Sequence, residues 1–341
     1  MNQIALQEWL SLPPETRKAA FAEAAARLGL PAAAIEKDWW VVRTLEQVFA
    51  TSIAGHTVFK GGTSLSKAWG LIDRFSEDID LALDRALLGI TKPDEEMTGS
   101  QVSKLRKASA EFISGQFFPE LSSQFQNSGL EVNIHPAEVK TNDQDPIILE
   151  VYYPSLTENT PYLQPRVLIE IGSRSLMEPL EYRRIASMMG EAFQGQPFAD
   201  LPIVIPTVQP QRTFLEKIFL LHEEFQQAPE KIKTERKTRH WYDLEKLMNT
   251  PFAQQAMADK KLYQTIVLHR QKLNTIRSIN YALHKPEHIR IMPPDAIQDK
   301  WQKDYDAMRE SMIYGEALRY EALMQRMQEL NRQINHLKLT E

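Results

Sequence analysis

Residues 59–84 read FKGGTSLSKAWGLIDRFSEDIDLALD. An apolar run from Thr57 to Phe59 ends at two glycines, a helix-like segment follows over Ser64–Leu71, and Ile79–Leu83 alternates as a strand does. The order is strand, glycine turn, helix, strand. Adjacent Gly61 and Gly62 let the backbone come close to a polyphosphate, and Ser64 at the start of a helix adds a hydroxyl and N–H groups to an anion site. Asp78 and Asp80, two apart on a strand, point to one face and can share a hard cation such as Mg2+. A cation held between carboxylates and triphosphate oxygens neutralises charge that develops in phosphoryl or nucleotidyl transfer. A Gly-Gly pair or an Asp-x-Asp is common by itself; their joint order carries the information. On the residues alone, a glycosyltransferase using a sugar nucleotide remains open beside a nucleotidyltransferase.

Transfer of this kind needs a further carboxylate facing the attacking hydroxyl. Glu170 fits, because it interrupts the apolar run Val167-Leu168-Ile169-Glu170-Ile171, where a charge is costly to bury unless it is paired or bound to metal. A salt bridge to Arg166 or Arg174 is its plain alternative, and Glu150 in Ile147-Ile148-Leu149-Glu150-Val151 competes for the role.

Outward from these strands the chain divides. Helical periodicity runs over Arg17–Leu28, stops at Gly29, and resumes after Pro31 with Ile35, Trp39, Val42 and Leu45 on one face. Residues 84–100 read as a loop, 101–126 as a helix, and Leu130–Val139, Ile147–Tyr153 and Val167–Ile171 as strands. Beyond Pro210 the texture is helical: 212–225, 239–249, 252–269, 272–284, 296–309 and 315–337. The expected domains are an N-terminal helical segment (1–50), an α/β or α+β core (51–206) and a helical C-terminal domain (207–341), in keeping with a length of 341 residues.

The helix RTFLEKIFLLHEE (212–224) buries Phe214, Ile218 and Leu221 and leaves Lys217 near the edge of that face, where its ammonium could reach a phosphate; an ordinary amphipathic helix reads the same way. Lys231, Lys233, Arg236, Lys237 and Arg239 then crowd nine residues ahead of Trp241 and Tyr242. That pattern suits phosphate and base-stacking contacts with RNA, or else a solvated loop feeding a helix whose aromatics are core. Residues 210–290 hold 15 Lys/Arg against 9 Asp/Glu, a local +6, whereas the rest of the chain carries −11 within a total of −5.

The absence of cysteine excludes disulfides, thiolate metal sites and cysteine nucleophiles. No leader-like start and no long apolar segment is present, so the expected location is the cytoplasm and no membrane partner is expected. Serine-hydrolase elbows, Walker loops, GxGxxG and HExxH are missing, and Pro286 between His284 and His288 argues against a shared helical face.

Together these segments resemble the nucleotidyltransferase family of AbiEii/AbiGii toxins, the toxin half of bacterial type IV toxin–antitoxin and abortive-infection systems. Gly61, Gly62, Thr63, Leu65, Lys67, Arg74, Ser76, Asp78, Ile79, Asp80 and Leu81 match the family's first motif. Glu170 meets the second, Lys217 in RTFLEK the third, and Arg239, Tyr242, Asp243 and Leu244 the fourth, over about residues 35–250. Many members carry Asp directly after that Arg, where this chain has His240. The resemblance implies an α+β, polymerase-β-like nucleotidyltransferase core followed by a helical domain. It also implies transfer of a nucleoside monophosphate from an NTP with Mg2+ (or Mn2+) to tRNA or another cellular acceptor, and an antitoxin encoded alongside. By the same resemblance, Gly61, Gly62, Thr63, Ser64, Lys67, Arg74 and Ser76 serve the nucleotide, and Asp78, Asp80 and Glu170 the metal and the chemistry. Lys217 steadies phosphates, and Asp243 orients Lys217 or contacts the nucleotide. Competing expectations are a nucleotide- or partner-binding module without turnover, and an NMP transferase acting on a protein or small molecule.

Overall fold

The computed structural model describes residues 2–76, 78–138, 144–158 and 163–338. These fall into two compact units, one of residues 1–69, 75–91 and 100–208, the other of 70–74, 92–99 and 209–341.

The first unit opens with three helices, α1 (Asn2–Ser11), α2 (Pro14–Leu28) and α3 (Ala32–Val48). Gly29 takes φ +67° as the left-handed cap that stops α2, and Pro31 precedes α3, as the sequence leads one to expect. Trp9 of α1 lies 5.2 Å from Phe21 of α2 and 5.7 Å from Trp39 of α3, so aromatic contacts fasten the three together.

After them come β1 (Thr57–Lys60), α4 (Gly61–Lys67), β2 (Asp78–Leu83), α5 (Gly99–Phe112) and, through a π-helical turn at Ile113–Phe117, α6 (Phe118–Ser128). Strands β3 (Asn133–Pro136), β4 (Ile147–Tyr152), β5 (Arg166–Gly172), β6 (Leu180–Ile185) and β7 (Ile203–Val208) follow, with α7 (Met188–Ala192) between the last two. The run expected as a strand over Leu130–Val139 forms only β3, and Val139 lies outside the described residues. The seven strands build one mixed sheet in the order β3-β4-β5-β2-β1-β7-β6, with β2 parallel to β5 and antiparallel to β1. Ile79, Leu81, Val167, Ile169 and Ile171 point to the buried face, where α3 packs on β5. Alternation then sends their neighbours Asp78, Asp80 and Glu170 to the other face.

The second unit is helical: α8 (Pro210–Glu224), α9 (Arg239–Met248), α10 (Pro251–Ala258), α11 (Lys260–Leu273), α12 (Gln298–Ser311) and α13 (Tyr320–Asn335). Two expected helices are redrawn. The one over 252–269 is broken at Asp259, whose side chain accepts from the Leu262 N–H at 2.8 Å and starts α11. The one over 272–284 does not form. The chain leaves α11 at Asn274 and continues as short 3-10 turns, with the Asn280 side chain satisfying the Ala282 N–H. Trp241 and Trp301 are fully buried at its centre.

Candidate active site

In the first unit the register sets the site. Cα partners run Asp78↔Leu168 and Asp80↔Glu170 between β2 and β5, and Lys60↔Asp80 between β1 and β2. Directly opposed residues of adjacent strands lie about 5 Å apart and share a face. Asp80 and Glu170 are therefore neighbours on the partly exposed face, with Asp78 two residues along and Lys60 on the other flank of Asp80. The sequence reading did not single out Lys60, although its place directly before the glycine pair was the available signal.

Strand β1 passes into α4 without a loop, and Gly61 makes this possible. Its φ is +80°, and a Cβ there would sit 1.9 Å from Asp80 Oδ2. Glycine both permits the backbone and leaves the room that the Asp80 carboxylate occupies. Thr63 Oγ1 donates to the Asp78 carbonyl at 2.5 Å and ties α4 to the start of β2. The Ser64 hydroxyl is buried and donates to the Gly61 carbonyl at 2.8 Å, so it braces the turn. Among the described residues no side chain caps the first turn of α4, which leaves its N–H groups suited to phosphate oxygens. Lys67 Nζ lies 2.6 Å from Asp38 of α3, whose carboxylate also accepts from the Met188 N–H.

Glu150 is engaged by its strand neighbours. Arg166 Nη1 donates to Glu150 Oε1 at 2.7 Å, with the Tyr152 hydroxyl 3.2 Å from the other oxygen. Arg174 lies 3.7 Å from the buried carboxylate of Asp145. Burial raises the Asp145 carboxyl above the ordinary range in spite of Arg174 and the Ser173 hydrogen bonds.

An all-oxygen donor set of partly exposed carboxylates fits a hard divalent cation, and the bare Cα of Gly61 makes room for the Asp80 carboxylate itself. Among the described residues no three His, Asp or Glu side chains close into a cage for a metal ion. The arrangement suits a cation whose remaining ligands are phosphate oxygens and water.

The second unit holds a different cluster. Asp243 of α9 is fully buried. Its Oδ1 accepts from Arg74 Nε at 2.6 Å and its Oδ2 from Arg74 Nη2 at 2.7 Å, and Lys217 Nζ of α8 stands 2.7 Å from the same Oδ2. Burial alone would raise this carboxyl, yet Arg74 and Lys217 hold it far below the usual range. Lys217 is itself lowered, chiefly by burial, with Asp243 opposing. Segment 70–74 is knitted into this unit: the Asp73 N–H donates to the Tyr242 hydroxyl at 3.2 Å, and the Asp73 carbonyl accepts from the Tyr314 and Gly315 N–H groups. Thus Gly61, Gly62, Thr63, Ser64, Lys67 and Ser76 belong to the first unit, whereas Arg74 belongs to the second with Lys217 and Asp243.

His240 is buried three residues before Asp243, and its Nδ1 has no hydrogen-bond partner among the described residues. Burial, then the Lys217 and Arg239 charges, keep it neutral well below its ordinary titration range. In the basic segment Lys231, Lys233 and Arg236 are exposed, Lys237 Nζ lies 3.7 Å from Glu224, and Arg239 opens α9. Trp241 and Tyr242 are core: the Trp241 indole donates to the Ile291 carbonyl at 2.8 Å, and neither ring is open to stack on a base. Among the described residues no helix is long and apolar enough to cross a membrane.

Against known proteins, the fold is similar to that of MenT4, a nucleotidyltransferase toxin from Mycobacterium tuberculosis H37Rv, with a TM-score of 0.52 over 94% of this chain and 90% of that one. At 18% identity that likeness concerns the fold. No curated protein matches the chain significantly in sequence. Residues 43–326 match the family described as nucleotidyl transferase AbiEii toxin, type IV TA system. With its glycine turn, its opposed carboxylates and most of its length inside that match, the chain belongs to the AbiEii family of nucleotidyltransferase toxins of type IV toxin–antitoxin systems.

Proposed function

We propose that this nucleotidyltransferase moves a nucleoside monophosphate from an NTP to a hydroxyl group of an RNA, tRNA first among them, in the cytoplasm and under the control of an antitoxin encoded alongside. The observation that carries the reading is the opposition of Asp80 and Glu170 on one sheet face, with Gly61 cleared of a Cβ beneath the Asp80 carboxylate.

In this reading the acceptor oxygen bonds to the α-phosphorus, the bond to the bridging oxygen breaks, and pyrophosphate leaves. Asp78 and Asp80 would hold Mg2+ or Mn2+, with Glu170 completing the set. The cation, when bound, offsets charge on the phosphate oxygens. Glu170 is also the group suited to receive the proton of the attacking hydroxyl. The N–H groups of the α4 turn hold phosphate oxygens. For Lys217 the role is a charge for phosphate, kept in place by Asp243. The exposed Lys231, Lys233 and Arg236 are the residues of the basic segment best suited to RNA phosphates.

The test is incubation with each of the four labelled NTPs, Mg2+ and total cellular RNA. Label on RNA from one NTP is the expected result. Label on protein or on a small molecule would move the acceptor, and no label on any of them would leave a nucleotide- or partner-binding module.

A further inference from the structure

Among the described residues strand β6 is the outermost strand on its side of the sheet, so one row of its N–H and C=O groups has no ladder partner there. Its sequence is Leu180-Glu181-Tyr182-Arg183-Arg184-Ile185. Tyr182, 67% exposed, is the most exposed large apolar side chain among the described residues. Arg184 is paired with Val204 of β7, itself 63% exposed. Alternation sets Leu180, Tyr182 and Arg184 on one face together with Val204, and Glu181 and Arg183 on the other. Arg183 is already in place: its Nη1 donates to Glu181 at 3.0 Å, its Nε donates to the Ala68 carbonyl at 3.1 Å, and its guanidinium lies 4.3 Å above the Trp69 ring.

Charges on an outer strand ordinarily guard it against pairing. Those of β6 carry both signs, and symmetry decides what they do against a second copy. Two identical strands that extend one sheet in antiparallel fashion are related by a two-fold axis along the sheet normal. Such an axis preserves the faces, so directly opposed residues must have the same parity. Centring it on Glu181, Arg183 or Arg184 sets that residue against its own like charge. Centred on Tyr182, it opposes Tyr182 to Tyr182, Glu181 to Arg183 twice, and Leu180 to the aliphatic stem of Arg184 twice. Cross-strand aromatic and opposite-charge pairs are the contacts that stabilise an antiparallel ladder, and like charges directly opposite destabilise it.

We propose that β6 is a homodimerisation edge, at which two copies of this chain pair antiparallel about Tyr182 and join their seven-stranded sheets. Charge and register choose the occupant: the strand is complementary to itself in that register. A six-residue strand pair is at the small end of specific interfaces, so the dimer is expected to form reversibly, over roughly micromolar concentrations.

The wild-type chain has no cysteine, which makes single-cysteine cross-linking clean. Under mild oxidation Tyr182→Cys is expected to give a disulfide-linked dimer. Ile4→Cys, at a position 64% exposed on α1, is expected to remain monomeric. Sedimentation velocity of the wild-type chain over a concentration series should move from monomer to dimer, and Glu181→Lys, which sets like charges opposite each other twice, should weaken that dimer roughly tenfold. A chain that stays monomeric, as it would if this edge awaited a strand of a different protein, overturns the proposal. So does a dimer indifferent to Glu181→Lys, or cross-linking no greater at position 182 than at position 4.

Discussion

The carboxylates of the two units are built in opposite ways. Asp243, fully buried, is gripped by the Arg74 guanidinium and the Lys217 ammonium, with three contacts between 2.6 and 2.7 Å. Asp78, Asp80 and Glu170 are partly exposed on one sheet face, and strand register aligns them. Removing a carboxylate held by the chain's own cations strands two buried positive charges, so its loss costs stability whatever else those cations do. Partly exposed carboxylates that are not clamped by buried cations of the chain cost less to remove, and in the proposed function they serve the metal and the chemistry. The same residue type thus divides between the two tasks according to burial and partners.

The largest expected effect lies with the partly exposed carboxylates. Asp80→Ala should lower nucleotidyl transfer by about 10³-fold, the scale on which removing one well-placed charge-stabilising group slows transfer chemistry, while the urea midpoint stays at the wild-type value. Transfer measured with a labelled NTP and unfolding measured by circular dichroism check both halves. A large fall in stability would erase the contrast with Asp243.

Asp243→Asn should show the reverse balance. The amide keeps the shape but leaves Arg74 and Lys217 facing each other without a counter-charge, at a cost of about 3–5 kcal/mol of folding stability. A variant that melts like wild type yet has lost activity would make Asp243 a ligand-binding group, and the contrast between the units would fail.

The next effect sharpens the comparison through pH. His222 of α8 accepts from the Arg290 N–H at 3.0 Å. Burial, then the neighbouring His284, pushes its imidazole down to about 4, and Arg290 adds to this. In the unfolded chain the same imidazole takes up its proton near pH ~6.5. Its contribution to stability is therefore complete above that pH, falls as the solution is acidified, and is gone near the folded value. About 2.5 units of depression correspond to about 3 kcal/mol over the window from pH ~6.5 to ~4. Asp243 is held below the ordinary carboxyl range and titrates under that window, so it does not confuse the measurement. Urea unfolding at pH 7 and at pH 4.5 should show a smaller loss in His222→Gln than in wild type, by about 2 kcal/mol. Equal losses in the two proteins would mean that the imidazole is not the group excluded from water.

How much of this was legible in the sequence follows from local rules. Asp78, Asp80 and Glu170 could be read because each interrupts or flanks an apolar alternation, and period-two geometry fixes which way they face. Gly61 was legible as a turn, but its second task, leaving room for Asp80, depends on a neighbour in space 19 residues on. Strand β6 escaped notice because an edge strand with Glu181, Arg183 and Arg184 has no apolar pattern to betray it. The membership of 70–74 in the second unit rests on contacts with Tyr242, Asp243, Tyr314 and Gly315, which no local window contains. The helix expected over 272–284 fails for a local reason: the Asn280 side chain takes the Ala282 N–H, and the Tyr281 hydroxyl takes the Asn274 carbonyl, bonds that compete with a helical ladder.

The smallest effect concerns the basic segment, and there burial divides one motif in two. Its sequence suits either an RNA surface of cations and aromatics or a solvated loop feeding a helix whose aromatics are core; Trp241 and Tyr242 are core, while Lys231 and Lys233 reach solvent. Without stacking rings, what the exposed residues can offer RNA is charge, and charge reads phosphate without regard to base. Lys231→Gln and Lys233→Gln should each weaken RNA binding by a few-fold, equally across unrelated sequences. Each should also make the slope of log K against log salt shallower by roughly 0.7 to 1, the share of one phosphate contact. A filter-binding series at several salt concentrations measures both quantities. If either substitution changed which RNA is preferred while leaving the salt slope alone, that lysine would be reading a base edge, and the basic segment would be a specificity element instead of an electrostatic one.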